Sequence, residues 1–355
     1  MMGLLLTFGF LWSGEPVKFP EFMASLKQIA ADLGVSYTLV SKVLNGRMGT
    51  TGASASTREA ILKKAEELDY RPNRLAVALK QGKQGAFGVF IHAMGVPGSE
   101  LTEAFLQGVA GEMEKTGARL WLRFFITDKD FLAACDDQLK NEVDGLIVAG
   151  VDHPGLLEKL KQIDRSGLPV VSSFCSLPKP LPANVAVDYE AQCYLTTKHL
   201  LDQGCRRIAH FHTVDTRHQG FLRAHREAGV PVQSRLIVRQ KTASSFHIED
   251  GEKGARTLLG RKVPFDGLVA QSDAQAVGAV RVLVENGLRV PGDVRVTGVD
   301  NSPLVDACQV PLTSTTAEMR ECGCIAVEML RKKANGQVVK SAVVQPRLVI
   351  RASSK

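Results

Sequence analysis

As far as Gly82 the apolar positions fall three and four residues apart; from Ala86 onward they gather into short runs divided by longer amphipathic stretches. Leu26, Ile29, Ala30 and Leu33 form one helical face behind Ser25, and Ser25 followed by Gln28 has the spacing of a capping box, so a helix is predicted from Leu26. Gly34 ends it, because glycine tolerates the left-handed conformation that a helix C-terminus needs, and Val35 fills the inside of the turn. Ser36 caps a second helix whose inward face is Val40, Val43 and Leu44. Tyr37, Thr38, Ser41, Lys42 and Asn45 fall on its other side, which is polar, has no acid and carries one cation. Ser56, Thr57, Arg58 and Glu59 make a further capping box, and Ile61, Leu62, Ala65 and Leu68 supply a third helix. Two short helices joined by a glycine turn, the second polar at its N-terminal end, read as a helix-turn-helix; the plainer alternative is a helical hairpin at a domain edge.

Beyond Ala86 strands are expected at residues 87–91, 119–125, 145–149, 169–173, 185–188, 208–212, 236–238, 267–270 and 294–299. Helices are expected between them, at 103–115, 130–141, 156–165, 191–203, 219–228, 249–260, 274–286 and 319–334. Such alternation predicts parallel sheets covered by helices on both faces. The number of units suits two Rossmann-like lobes better than one very wide sheet. The Pro-rich piece from Leu177 to Ala183 is the candidate link between them.

Composition narrows the class. With 355 residues, 45% hydrophobic and 23% charged, the chain can bury sizeable cores as one small and one large domain. The net charge is +7, and its placement matters more than its size. Gly34–Arg47 and Tyr70–Lys83 hold cations and no acids, whereas Glu59, Glu66, Glu67 and Asp69 collect on the third helix, a distribution suited to a phosphate backbone. The seven cysteines are scattered without a CxxC pair, which favours reduced thiols in a cytoplasmic protein. The opening MMGLLLTFGFLW is apolar but about half the ~20 residues of a membrane span, and it lacks a basic start. Residues 1–23 are therefore expected to be a disordered extension or a mis-assigned start, with Met23-Ala24-Ser25 the natural beginning; no membrane partner is expected.

Taken together, IAADLGVSYTLVSKVLNG and STREAILKKAEELDYRPNRLAVALK resemble the DNA-binding region of the LacI family of bacterial repressors. Further phrases carry the likeness to the C-terminus: Val187-Asp188, Gly204–Ile208, Arg217–Phe221, Gly287–Pro291, Gly298–Asn301 and Leu312–Thr315. The resemblance implies a small all-α helix-turn-helix domain at 24–70 and a hinge helix and linker at 71–84. It further implies an α/β two-lobed, periplasmic-binding-protein-like effector domain at 85–355. The first lobe would be 85–183 with 316–336, the second 184–315 with 337–355. A homodimer on a double-stranded DNA operator is implied, nucleoid-associated in the cytoplasm, and responsive to a sugar-like effector. Tyr37, Thr38 and Lys42 stand where the family reads base edges, with Ser36, Ser41 and Asn45 beside them. Asn73, Arg74 and Ala76 belong to the hinge helix, and Leu79 matches the wedge entering the minor groove. The chain departs from the family pattern in a longer connection from Gly46 to Ser56, in Leu39 for a small polar residue, and in Phe174 where many relatives carry an acid.

Ligands of open α/β sheets bind beyond the carboxyl ends of strands. Arg217, Ser272, Asp273 and Asp300 all follow predicted strands, and the resemblance assigns effector contacts there. A carboxylate accepting hydroxyl hydrogens and a forked guanidinium suit a polyol; the alternative is a structural ion pair. The chain has no GxGxxG, no GxxxxGK[ST] and no GxSxG, so an enzyme with an appended DNA anchor is the weaker reading, as is an architectural DNA protein. No cofactor and no catalytic residue are expected. His210 and His212, with His218 and His225 nearby, lack the cysteine or acid that would complete a metal site, and the simple alternative is a partly exposed strand end.

Overall fold

A computed structural model describes residues 25–44, 52–70, 84–92, 99–115, 117–136, 138–150, 154–173, 183–240 and 246–355. The chain divides into two units, Met1–Gly82 and Lys83–Lys355.

In the first unit α1 (Leu26–Asp32), α2 (Tyr37–Leu44) and α3 (Ala55–Glu67) surround one small core. Ser25 Oγ accepts from Gln28 N at 3.2 Å, and Ser36 Oγ accepts from Leu39 N at 3.2 Å, so both predicted caps close their helices. Gly34 sits at φ +61 with no atom within 4 Å of an added Cβ, so conformation rather than crowding requires glycine. The cap of α3 is Ser54, not Ser56: its hydroxyl accepts from Thr57 N at 3.1 Å and bonds the hydroxyls of Ser56 and Thr57 at 2.8 and 2.7 Å. Ile29, Ala30, Val40, Val43, Ile61 and Ala65 are the buried core, with Leu26, Leu33, Leu39 and Leu68 against it. Leu62, expected inside, is 51% exposed, because one step from Ile61 turns about 100° around the helix axis. Leu39, by contrast, gives its side chain to the core.

The second unit holds two sheets. The first is ordered β11-β5-β4-β3-β1-β2, where β1 is Ala86–His92, β2 Arg119–Phe125, β3 Leu146–Ala149, β4 Val170–Ser173, β5 Asn184–Val187 and β11 Ala342–Val344; all its pairs are parallel. α4 (Leu101–Glu114) and α12 (Met319–Ala334) cover one face, α5 (Asp128–Ala134) and α6 (Pro154–Arg165) the other. The second sheet is ordered β12-β10-β9-β8-β6-β7, where β6 is Ile208–His212, β7 Ile237–Arg239, β8 Gly267–Val269, β9 Arg295–Asp300, β10 Thr313–Thr316 and β12 Leu348–Val349. It is parallel except for β12. α7 (Tyr189–Asp202) and α8 (Asp215–Glu227) pack on one face, α9 (Ile248–Gly260), α10 (Asp273–Glu285) and the short α11 (Leu304–Ala307) on the other.

The expected lobe boundaries need correction. Residues 184–187 pair with β4, so the chain leaves the first sheet after Val187 rather than at Ala183. Residues 337–344 likewise stay with the first sheet through β11, and only β12 rejoins the second. Backbone pairing decides this, since an edge strand belongs to whichever sheet satisfies its N–H and C=O groups. Most of the Pro-rich piece lies outside the described residues.

Candidate functional sites: a helix face and a buried polar cluster

On α2 the core side is Val40 and Val43, and the opposite side begins with Ser36, Tyr37 and Thr38, all exposed, Tyr37 to 49%. Ser41 and Lys42 follow, half-buried on the flank. No acid stands in the first turn, so apart from the Ser36 cap the helix N-terminus keeps its partial positive charge. Asn45, Asn73, Arg74, Ala76 and Leu79 lie outside the described residues.

The second cluster sits where β6 and β8 run in the centre of the second sheet. The chain goes outward from β6 to β7 and in the other direction from β8 to β9, so the carboxyl ends of β6 and β8 flank the topological switch point. Arg217, in the first turn of α8, is only 8% exposed, and each of its three guanidinium nitrogens has a partner. Nε donates to Gln192 Oε1 at 3.2 Å, Nη1 to the carbonyl of Gln271 at 2.5 Å, and Nη2 to Asp300 Oδ1 at 3.3 Å. Tyr189 and Phe246 lie 5.4 and 5.6 Å from its central carbon, each within cation–π range.

Asp300 ends β9 with φ +106, and Asn301 follows at φ +50. Two successive non-glycine residues in that region cost strain that the surroundings must hold. Asp273 holds it from below. Its Oδ2 accepts from Ser302 N at 2.7 Å and Ser302 Oγ at 3.0 Å, and its Oδ1 accepts from Ser314 Oγ at 2.6 Å. Burial and the neighbouring Asp300 charge push the Asp273 carboxyl upward, opposed by those serine bonds. Burial also raises Asp300, opposed by Arg217.

Arg217 and Asp300 are therefore brought together, as the sequence suggests. Ser272 and Asp273 are close by but spent within the protein. Ser272 Oγ caps α10 through Gln275 N at 3.1 Å and donates to the carbonyl of Phe246 at 2.9 Å. The sequence reading missed Gln192, Gln271, Gln275, Ser302 and Ser314. A usable signal was present in Gln271–Gln275, a polar run between apolar stretches that is buried throughout. The histidines also differ from expectation. His210 and His212 are buried, not partly exposed, and stack with His218 in near-parallel planes, 4.0 Å separating the ring centres of His212 and His218. In-plane lone pairs on parallel rings do not converge on one ion.

Two family models match the chain: "Bacterial regulatory proteins, lacI family" at residues 25–73 and "Periplasmic binding protein-like domain" at residues 197–354. Together they span more than half of it. The HTH-type transcriptional repressor PurR of Pasteurella multocida is 28% identical over 94% of this chain and 99% of its own length. Catabolite control protein A of Priestia megaterium is 26% identical over 93% and 99%. Among solved structures, the transcriptional regulator CelR–cellobiose complex is similar with a TM-score of 0.69 at 25% identity, covering 93% of this chain and 100% of that one. The lac repressor dimer bound to operator and the anti-inducer ONPF shares the fold, with a TM-score of 0.74 at 22% identity over 93% and 99%.

Proposed function

Since the chain belongs to the lacI family of bacterial regulatory proteins, we propose that it is a sequence-specific transcriptional repressor whose hold on DNA is set by a small effector in its two-lobed domain. The observation that carries this reading is the acid-free outer face of α2, an eight-residue helix fixed by a separate core behind it. In this reading α2 lies in the major groove, with Tyr37, Thr38 and Lys42 toward base edges and Ser36, Ser41 and Asn45 toward the backbone. Asn73, Arg74 and Ala76 form the hinge that follows, with Leu79 wedged into the minor groove. The protein works in the cytoplasm, on the nucleoid; among the described residues no helix is long and apolar enough to cross a membrane.

The effector site is built on Arg217 and Asp300. Tyr189 and Phe246 offer apolar faces beside the charged pair, a combination that suits the alternating CH and OH faces of a sugar. Cellobiose is bound by the similar CelR, so sugars are the first class to try. Ser272 and Asp273 shape the site rather than offering it free donors or acceptors. The ligand changes DNA binding only through its different affinity for the two lobe arrangements.

The operator asks for a second copy, and the first sheet offers it a surface. Leu120, Leu122 and Phe124 alternate along the edge strand β2 on the face that α4 and α12 cover elsewhere, yet all three are exposed, Phe124 to 60%. An apolar stripe beside an open strand edge is a site for a partner. Selection from random duplexes with the full chain tests the proposal: enrichment of a two-fold symmetric site is expected, and binding no tighter than to scrambled DNA overturns it. On the enriched site, Lys42→Ala should cost about 1–3 kcal/mol and relax preference at one base pair. Equal loss on every sequence would reassign Lys42 to phosphate.

A further inference from the structure

The guanidinium of Arg217 is held by Gln271, and Gln271 is held by a histidine that touches nothing in the proposed effector site. His210 lies on β6 and is fully buried. Its Nδ1 is 3.0 Å from the carbonyl of Val269, which can only accept, so the ring proton is on Nδ1 and Nε2 presents a lone pair. That lone pair faces Gln271 Nε2 at 3.2 Å. The amide of Gln271 has one permitted orientation, because its Oε1 accepts from Thr213 N at 3.2 Å and Val214 N at 2.7 Å while its Nε2 also donates to the carbonyl of Val214 at 3.2 Å. Thr213 and Val214 are the turn that starts α8, three residues ahead of Arg217. The main chain of the same glutamine completes the clamp: its carbonyl accepts from Arg217 Nη1, and its N–H donates to Gln275 Oε1 at 3.0 Å. Gln275 Nε2 returns to Thr213 Oγ1 at 3.0 Å.

We propose that His210 is a positioning residue for effector recognition, which by keeping one tautomer fixes the Gln271 amide and, through it, the turn and carbonyl that orient Arg217. This rests on Arg217 being an effector contact. The ring is kept in place by Phe221, stacked at 4.3 Å with planes 7° apart, while His218 lies 5.2 Å away on the same stack. No acid acts on it: burial and the neighbouring His218, His212 and His225 all disfavour its charge, and only the Val269 bond opposes them. Farther out, Asp215 bonds His212 at 2.7 Å, and Arg239 disfavours a charge on His218. The neutral form is thus secured across the physiological range, so the network is a fixed support and not a pH sensor.

The test uses the full chain, with two variants that separate the acceptor from the ring. His210→Phe keeps an aromatic ring against Phe221 and removes the lone pair. Gln271→Glu keeps the acceptor for Thr213 and Val214 but turns a second oxygen toward His210 Nε2, so the contact is repulsive until a proton enters between them. The primary readout needs no effector: exchange of the Arg217 Nε–H with solvent, followed by 15N NMR. Exchange should speed up roughly three- to thirtyfold in His210→Phe, the size of change that residues on a connecting network make in the coupling of two sites. In Gln271→Glu it should be fast at pH 8 and recover toward pH 6, whereas the parent is flat over that interval. Unchanged exchange in both variants overturns the inference, as does a 15N spectrum showing His210 protonated on Nε2 in the parent. A second arm measures binding of D-ribose, D-glucose and cellobiose by calorimetry. If one binds the parent and Arg217→Ala loses it while both variants match the parent, the positioning role fails and the effector reading stands. If a sugar binds equally well to Arg217→Ala, the effector reading fails, and the exchange data still decide whether His210 positions Arg217.

Discussion

The small helical unit and the second lobe of the larger unit place their polar chemistry on opposite sides of their cores. Among the described residues of the helical unit the core is six buried apolar residues and no polar side chain is buried, so Tyr37, Thr38 and Lys42 are simply the positions left over when Val40 and Val43 turn inward. In the second lobe the polar groups are inside. Gln192, His210, Arg217, Gln271 and Gln275 are all buried and bond one another across α7, β6, α8, α10 and the turn after β8, while the buried Asp273 is held by Ser302 and Ser314. A surface of the first kind tolerates substitution and is tuned residue by residue. A cluster of the second kind behaves as a unit, because an unpaired buried donor or acceptor costs about 1–3 kcal/mol.

The largest effect that probes this contrast is expected at Ile61, which is fully buried in the three-helix core. Ile61→Ala should cost the helical unit about 2–5 kcal/mol. Amide hydrogen exchange should then show α1–α3 opening while the sheets of the larger unit keep their protection; joint loss would show that the two units share their stability. Next comes Gly278 on α10, where an added Cβ would stand 2.0 Å from the carbonyl oxygen of Ile248 on α9. Gly278→Ala should lower the urea midpoint of the larger unit by an amount worth about 1–3 kcal/mol. Gly111 on α4 has no atom within 4 Å of that position, so Gly111→Ala should instead stabilise by about 0.5–1 kcal/mol. A smaller loss, about 1 kcal/mol, is expected on removing the α3 cap with Ser54→Ala, while Ser56→Ala should be close to neutral in the same melts.

The smallest effect is a histidine-linked pH dependence that only one unit can show. Residues 25–70 contain no histidine. In the second lobe, burial beside His212 and Arg239 lowers His218 to about 4 from an ordinary 6.5. A histidine depressed in the fold contributes stability that is full above 6.5 and is lost as the pH falls toward 4, because the unfolded chain takes the proton first. Asp273 and Asp300, raised by burial, run the other way, regaining stability as protons enter. Comparison of the parent with His218→Phe isolates the histidine: the parent should lose ground to the variant between pH 6.5 and 4. A constant difference across that window would show that His218 is as free to charge in the fold as out of it.

The same contrast governs how much could be read from the chain. The strands at 119–125 and 208–212 and the helix at 319–334 appear with the bounds their apolar periodicity predicts. β10 does not announce itself, because Thr313, Ser314 and Thr315 look like a turn; they are buried since hydroxyl partners elsewhere, Asp273 and Arg351 among them, satisfy two of them. The helix expected over 130–141 stops at Ala134, where the Asp136 carboxylate takes the amides of Gln138 and Leu139 at 2.9 and 3.2 Å in place of the helical carbonyls. Arg217 and Asp300 could be found because each follows a strand. Gln271 showed only as part of a polar run between apolar stretches and His210 only as a weighed metal ligand, since the significance of each lies in which atom faces the other.

The late position of two edge strands has a consequence for synthesis. β11 closes one edge of the first sheet, β12 one edge of the second, and Ser353 and Ser354 are then buried against β10, β9 and α7. A nascent polypeptide that has emerged no farther than Lys340 therefore has two unsealed sheets at once, each showing a bare strand to its surroundings. Neither sheet can be finished early and set aside, and the growing chain stays open to mispairing until β11 and β12 have both left the tunnel.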